Sequence, residues 1–508
     1  MCELTLLVLS DTHLLEATQA PLPAPSRKCT LGRELLERAV RDAQRRGGFD
    51  AVAVMGDMTE DGTAPGAERD LAALEQTLYE MAGDVPRLVI PGNHDPDPDV
   101  VLSVFDDLPG LHEIGGYRFF TFVDRWDEED VGRRPPEQME RFRRVAAGSS
   151  DSPLIVLQHN PLHPPIEEEY PFILARREEV MDAYSEAGVL LSLSAHYHPG
   201  QELSESGGVR YWTSPALCES PFRYALIHMH GTDVRVEEVA LRLPETAALR
   251  DVHAHTHYAY CAENVTPEEV IRRAKLFGLA GQCLTEHADQ LFLTEKEHRS
   301  GLVYEDPDYW NRELPPQARR MPTYRREMEP LRDDFVKLGM EIELDLEGRP
   351  AIPPRERTGW DLQLGAVHWL PEDLGAHTRG EINRGYMENL RALLEADIDV
   401  LAHPFRYFHA RELTPPRDLY ETIVDLLVES DTAAEMNFHH NEPDPEFFAL
   451  CIERGVKIAP GSDAHRLSEV ADFHPHLELI RRAAGRQDVS DLLFDRPWRT
   501  DHRIPLGR

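Results

Sequence analysis

Five short motifs in the first half of the chain put acidic, imidazole and amide side chains directly after apolar runs. They are Asp11-Thr12-His13, Gly56-Asp57, Gly92-Asn93-His94-Asp95, His159 in Gln158-His159-Asn160, and His196-Tyr197-His198. Any one of them is the kind of pair that surfaces and cores produce by coincidence. Five in this order, each closing an apolar run, make a donor set for divalent metal. Carboxylate and imidazole together suit a borderline ion such as Mn, Fe or Zn. A carboxylate can bridge two ions through its two oxygens, and an Asn oxygen can ligate without adding charge. Two ions roughly 3.5–4 Å apart lower the pKa of a shared water and hold both oxygens of a phosphoryl displacement.

The second half repeats the theme with different residues. His253-Ala254-His255, Glu286-His287, Glu341, His368, His403-Pro404 and Asp463-Ala464-His465 each end an expected strand. A lone His at such a place is ordinarily a hydrogen-bonded core or rim residue, but the ordered ensemble is not. Arg406, three residues after His403, is a candidate clamp for a phosphate, with a surface salt bridge as the competing reading.

Strands and helices must carry these groups. In the first half, Leu4 to Leu9, Ala51 to Met55, Leu88 to Ile90, Leu154 to Leu157 and Val189 to Leu193 read as buried strands. Gly32 to Arg46 and Glu68 to Met81 read as helices, and Val209 to Trp212 and Arg223 to Leu241 as antiparallel strands turning at Gly231-Thr232. From Asp251 a strand–helix series begins. Its strands lie near Val252, Ala280 to Thr285, Met340 to Leu344, Leu362 to Val367, Val400 to Ala402, Ala433 to Asn437 and Val456 to Ala459. Seven such units suggest a barrel of the TIM kind, with functional groups at the strand C-termini. Thr266, Pro267 and Glu269 predict a capping box on its first helix. The stretch between Asp289 and Lys337 is too long for an ordinary barrel loop. Its Tyr304, Tyr309, Trp310, Arg319, Arg320, Tyr324, Arg325 and Arg326 suggest a cap over the pocket, against the alternative of a helical insertion packed on the barrel side.

The chain has 508 residues, which favours two domains, 1–245 and 246–508. Net charge is −37, and five of the 54 basic residues are Lys. That is ordinarily a solvated acidic surface, and it disfavours a polynucleotide partner. No apolar run is long enough to span a bilayer, so no membrane partner is expected. The first residues lack a basic region and a cleavage site, and six scattered cysteines make no disulfide framework, so a reducing cytoplasm is expected. Oligomeric state is not legible.

The first set of motifs resembles the calcineurin-like metallophosphoesterases, over roughly residues 3–241. The resemblance implies a four-layer αββα sandwich and two metals. Asp11, His13, Asp57 and His198 would hold one metal; Asp57, Asn93, His159 and His196 would hold the other, with Asp57 bridging. His94 would be a catalytic acid or charge stabiliser, held by Asp95. Ala195 stands where that family has Gly before the His-x-His pair. The second set resembles the PHP (polymerase and histidinol phosphatase) family, over roughly residues 250–470, which implies a distorted (β/α)7 barrel with two or three metals. His253, His255, Glu341 and Asp463 would bind the first; Glu341, His368 and His403 the second; His287 and His465 the third. One further ligand of that third ion is Cys261 or Glu263, with Glu263 favoured because hard oxygen donors suit phosphoester sites. Glu286 stands where that family has Asp in Thr-Asp-His, which leaves its role open.

The expected class is therefore α/β, and the expected activity a bifunctional metal-dependent phosphatase and phosphodiesterase. Its substrates would be small and phosphorylated or nucleotide-like, with diester cleavage feeding monoester cleavage. A nuclease, and a protein in which one domain only binds a phosphorylated ligand, are the competing readings.

Overall fold

The computed structural model describes residues 3–21, 26–127, 129–148, 151–168, 170, 172–244, 248–263, 265–306, 308–309, 320–353, 356–371 and 377–496. The chain divides into two compact units, Met1–Arg242 and Leu243–Arg508.

The strands of the first unit are β1 (Glu3–Leu9), β2 (Ala51–Val54), β3 (Arg87–Val89), β4 (Gly110–Ile114), β5 (Tyr117–Thr121), β6 (Arg125–Trp126), β7 (Gly132–Arg133), β8 (Leu154–Leu157), β9 (Val189–Ser194), β10 (Gln201–Ser206), β11 (Val209–Thr213), β12 (Arg223–His230) and β13 (Asp233–Ala240). They form one sheet in the order β13-β12-β1-β2-β3 and another in the order β10-β11-β9-β8-β5-β4, while β6 and β7 pair apart. Side chains alternate across a strand, so Leu4, Leu6 and Val8 of β1 share one face. These three, with Ala53 and Ile227, pack against Phe119, Ile155, Leu157 and Leu193 of the other sheet.

Helices cover both outer faces. Pro136–Ala146 and Arg177–Glu186 cover the second sheet through Phe142, Val180 and Tyr184. Gly32–Arg45 and Ala67–Ala82 bring Leu36, Leu74 and Leu78 against Leu9 and Val54 of the first. Burial on both faces is why β1, β2 and β8 read as unbroken apolar runs. The layers are αββα.

The second unit contains β14 (Arg250–Asp251), β15 (Gly281–His287), β16 (Val336–Ile342), β17 (Leu362–Gly365), β18 (Val400–Leu401), β19 (Ala433–Met436) and β20 (Ile458–Pro460). They pair in sequence order, and every pair is parallel. The two ends of this sheet meet. Val252 N donates to Pro460 O at 3.1 Å, and Asp463 N donates to His253 O at 2.7 Å. The buried Asp251 carboxylate accepts from His253 N at 3.0 Å and from Ser462 N and Oγ at 3.1 and 2.6 Å, stapling first strand to last. The helix Pro267–Leu276 starts at Thr266, which caps Glu269 N, but Glu269 turns its side chain to Arg272 and Arg273. The expected capping box is thus half made. Among the described residues no helix is long and apolar enough to cross a membrane.

Candidate metal centres

In the first unit the strand ends converge as expected. Asp11 and His13 follow β1, Asp57 follows β2, Asn93 and His94 follow β3, His159 follows β8, and His196 and His198 follow β9. Four of them hold left-handed backbone, with φ of 51° at Asp11, 47° at His13, 50° at Asp57 and 69° at His196. Non-glycine residues adopt this region at a cost of about 1–3 kcal/mol each when the surroundings enforce it. Gly92 must lack a side chain, since a Cβ there would lie 2.1 Å from Asp57 Oδ1.

Asp57 is central. Its Oδ2 lies 3.6 Å from His13 Nε2 and 3.3 Å from His159 Nε2, and its Oδ1 accepts from His94 N at 2.9 Å. His13 Nε2 and His198 Nε2 are 3.2 Å apart, and His198 Nε2 is 3.7 Å from Asp11 Oδ1. Asp57, His159 and His196 offer donor atoms within 4.8 Å of one another. Asp11 Oδ1, Asn93 Oδ1, His159 Nε2 and His196 Nε2 are buried and have no hydrogen-bond partner. Orphaned buried acceptors are costly, and four of them on this donor set fit divalent ions.

Tautomers are set from behind. His159 Nδ1 lies 2.7 Å from the Met55 carbonyl, which can only accept, so in the neutral ring Nε2 carries the lone pair. Glu60 Oε2 stands 3.0 Å from His13 Nδ1, and Glu219 Oε1 stands 3.1 Å from His198 Nδ1. Burial opposes charge on Asp57, but His159 and His13 hold its carboxyl well below the usual range. Burial also opposes charge on His159, and Asp57 overrides it, lifting the imidazole to about 9.

Asp95 departs from expectation. It does not hold the His94 ring, which sits with Nδ1 2.7 Å from Glu60 O. Asp95 instead accepts from Met58 N at 2.7 Å, Thr59 N at 3.0 Å and Gly92 N at 2.9 Å. A carboxylate facing three amide donors binds them in preference to one imidazole, so Asp95 ties the loop after β2 to the loop after β3.

The barrel gathers the second set at one mouth, because parallel strands end on the same side. Glu341 is its pivot. Its Oε1 lies 3.0 Å from His403 Nε2 and 3.5 Å from His368 Nε2; its Oε2 lies 3.5 Å from His253 Nε2 and 2.7 Å from His287 Nδ1. Asp463 Oδ1 is 3.0 Å from His255 Nε2. His255, His287 and His465 form a further donor group. Glu341 Oε2 and His368 Nε2 are buried and, for all their close imidazole and carboxylate neighbours, make no well-aligned hydrogen bond. His403 and Asp463 also hold positive φ, 25° and 49°. Burial disfavours charge on Glu341, yet His287 and His253 keep its carboxyl far below the ordinary value.

Glu435, Glu343 and His439 were not singled out by sequence, and Glu286 was left without a role. Glu435, fully buried, places Oε1 2.9 Å from His253 Nδ1, and its Oε2 accepts from His403 N at 2.6 Å. Glu343 Oε1 is 3.0 Å from His368 Nδ1. Glu286 accepts from Thr256 N at 3.0 Å and stands 3.7 Å from His255 Nδ1, so it fixes the segment that carries His255. His439 stacks on His465 with ring centroids 4.5 Å apart. The signal for Glu435 is a charged side chain inside the otherwise apolar strand Ala433–Met436.

Three expectations about the mouth change. Glu263 is exposed, and its carboxylate pairs with Arg466 at 2.9 Å. The donor beside the third group is Cys261, whose Sγ lies 3.6 Å from His287 Nε2. The reason is local: Ala259 N and Ala262 N close tight turns that leave the thiol of Cys261, itself an exposed residue, beside His287, while Glu263 N donates to His465 O and its carboxylate turns to Arg466. Arg406 is not free for a phosphate alone, because its Nη1 lies 2.5 Å from Asp463 Oδ2. The long segment packs rather than caps where it is described. Tyr324 and Tyr304 are buried, and Arg325 pairs with Glu356 at 3.2 Å over the Trp360 ring. Arg320 lies 4.4 Å over Tyr260 and donates to Gln290 O. Trp310 and Arg319 fall outside the described residues.

Comparison with known proteins supplies the family. Residues 4–200 match the calcineurin-like phosphoesterase family, and residues 251–439 match the PHP domain family. A protein described as a probable phosphatase, from Caldicellulosiruptor saccharolyticus, is 25% identical over 243 residues, 45% of this chain and 85% of its own length. Among solved structures, a dimetal phosphatase from Danio rerio is similar at a TM-score of 0.39 and 16% identity, over 47% of this chain and 99% of that one. GAP50, described as the anchor in the inner membrane complex of Plasmodium, is similar at 0.30 and 12%, over 47% of this chain and 85% of that one. The chain joins a calcineurin-like phosphoesterase domain to a PHP domain and is a metal-dependent phosphohydrolase.

Proposed function

We propose that the chain is a bifunctional phosphoesterase, with one independent metal centre in each domain, acting on small phosphorylated or nucleotide-like substrates. The observation that carries this reading is the pair of pivots, Asp57 and Glu341, each flanked by imidazole nitrogens on both carboxylate oxygens or across one of them. In the first domain Asp11, His13, Asp57 and His198 would hold one ion, and Asp57, Asn93, His159 and His196 the second. In the barrel His253, His255, Glu341 and Asp463 would hold one, Glu341, His368 and His403 another, and His287, His465 and Cys261 a third. Mn, Fe or Zn suit these donors. Bound there, the ions neutralise the phosphoryl group and lower the pKa of water.

The chain's own groups do the rest. His94 donates its Nδ1 hydrogen to Glu60 O, which leaves Nε2 to pass a proton toward the leaving oxygen when the ring is charged. Glu60, Glu219, Glu343 and Glu435 keep imidazole rings aimed. Arg406, already neutralising Asp463, reaches the mouth of the barrel as a phosphate contact. One centre would open a diester and the other remove the resulting monoester. We place the domain boundary between residues 245 and 246, and the protein in the cytoplasm.

Metal analysis of the full chain, with p-nitrophenyl mono- and diesters assayed with and without Mn, tests this reading. Both esters should turn over, the first domain holding two ions and the barrel two or three. A fully loaded protein inert toward both would refute it.

A further inference from the structure

The two sides of Asp57 are built differently. His13 and His198 are backed by the carboxylates of Glu60 and Glu219, at 3.0 and 3.1 Å. On the other side each candidate ligand touches an aromatic side chain. The Trp126 ring meets His159 edge-on with centroids 5.7 Å apart. The Phe172 ring meets His196 at 5.2 Å, and Tyr170 meets it at 5.7 Å. The Tyr170 hydroxyl accepts from Asn93 Nδ2 at 3.4 Å.

These rings are not core. Tyr170 is 39% exposed, and Trp126 and Phe172 are half-buried. The rim around them is acidic. Tyr197, edge-on to Phe172 at 5.1 Å, donates its hydroxyl to Glu168 at 2.7 Å. The cations of the neighbouring hairpin are already engaged, Arg125 with Asp97 at 3.1 Å and Arg133 with Asp127 at 2.7 Å. Aromatic faces are electron-rich and attract planar groups and cations. Carboxylates around them repel a second anion.

We propose that Trp126, Tyr170 and Phe172 form the subsite for the substrate's organic group, on the His159 and His196 side of the first centre, and that this group is planar or cationic and never a second anion. The subsite rests on the reading of that centre as a phosphoesterase, and it fixes which esters the centre takes. Tyr170 acts twice, offering its ring to the ligand and its hydroxyl to Asn93.

The test uses the full chain carrying Glu341→Gln, which leaves the first centre as the source of turnover. Benzyl phosphate, phosphocholine, ethyl phosphate and 3-phosphoglycerate are compared, all alkyl esters of similar leaving-group chemistry. Benzyl phosphate or phosphocholine should exceed ethyl phosphate in kcat/KM by about tenfold, with 3-phosphoglycerate last. Whichever leads identifies the group as planar or cationic. Adding Tyr170→Ala or Trp126→Ala should erase that preference, raising KM for the favoured ester far more than for ethyl phosphate. Tyr170→Phe should keep the preference. Equal kcat/KM for all four esters, or an equal loss on all four in the alanine variants, overturns the subsite. A metal-loaded first centre inert toward all four and toward bis-p-nitrophenyl phosphate overturns the phosphoesterase reading beneath it.

Discussion

The first centre takes its donors from loops that leave two facing sheets, whereas the barrel takes its donors from the ends of one closed ring of strands. The supporting groups differ accordingly. In the first domain Glu60 and Glu219 sit in loops, and the Glu219 side chain is 30% exposed. In the barrel Glu435 and Glu286 lie within strands and are fully buried. The mouths differ as well, aromatic and acidic in one, with Arg406 at the other. The contrast teaches that two routes to a carboxylate pivot flanked by imidazoles leave different freedoms. A loop-built centre can reshape its rim without moving its pivot, while a ring-built centre fixes pivot and support in one hydrogen-bond ladder.

Removing the pivots should give the largest effect and tests whether the centres are independent. Asp57→Ala should abolish turnover by the first centre and empty it of metal, leaving the barrel's ions in place. Glu341→Ala should do the reverse. Metal counting on each variant decides; if either substitution emptied both centres, the separation drawn here would fail. Next in size is His94→Ala, which should lower turnover of the first centre by about 10²–10⁴-fold with its metal retained. Metal lost in proportion to rate would make His94 a ligand.

The difference in support gives a smaller effect. Glu435→Gln should weaken barrel metal affinity by about 10–100-fold. Glu219→Gln, at a partly solvated site, should change the first centre's affinity by less than about tenfold, since water compensates. Equal losses, measured by competition with a chelator, would remove the distinction between strand and loop support. Smallest of all is the pair at the third group. Cys261→Ser should release one barrel ion and reduce selectivity for Zn, because a thiolate favours it. Glu263→Ala, which breaks only an exposed pair with Arg466, should leave metal content unchanged. The opposite pattern would return the ligand role to Glu263.

Sequence alone pointed to the candidate ligands because nearly all of them end apolar runs, and strand ends in parallel sheets are where side chains converge. It did not locate their carboxylate partners. Glu435 is 182 residues from His253, and 91 of the 508 residues are acidic, so such a pairing has no local signature. β5 escaped because Arg118 interrupts its apolar run; its buried guanidinium is satisfied by Ser152 O at 3.2 Å and Val145 O at 3.4 Å. Two tight turns put Cys261 rather than Glu263 beside His287, and composition does not encode them.

The left-handed backbone at Asp11, His13, Asp57, His196, His403 and Asp463 bears on how such a protein can evolve. Asn, Asp and His are the non-glycine types most often found in that conformation, and two of them are also good metal donors. These positions are therefore selected twice, once by the ion and once by the main chain. Drift there toward Glu or Cys would meet a backbone penalty before any change in metal preference could be tested. Cys261 and Glu341 lie outside that set, so a change of side chain there meets no such backbone penalty.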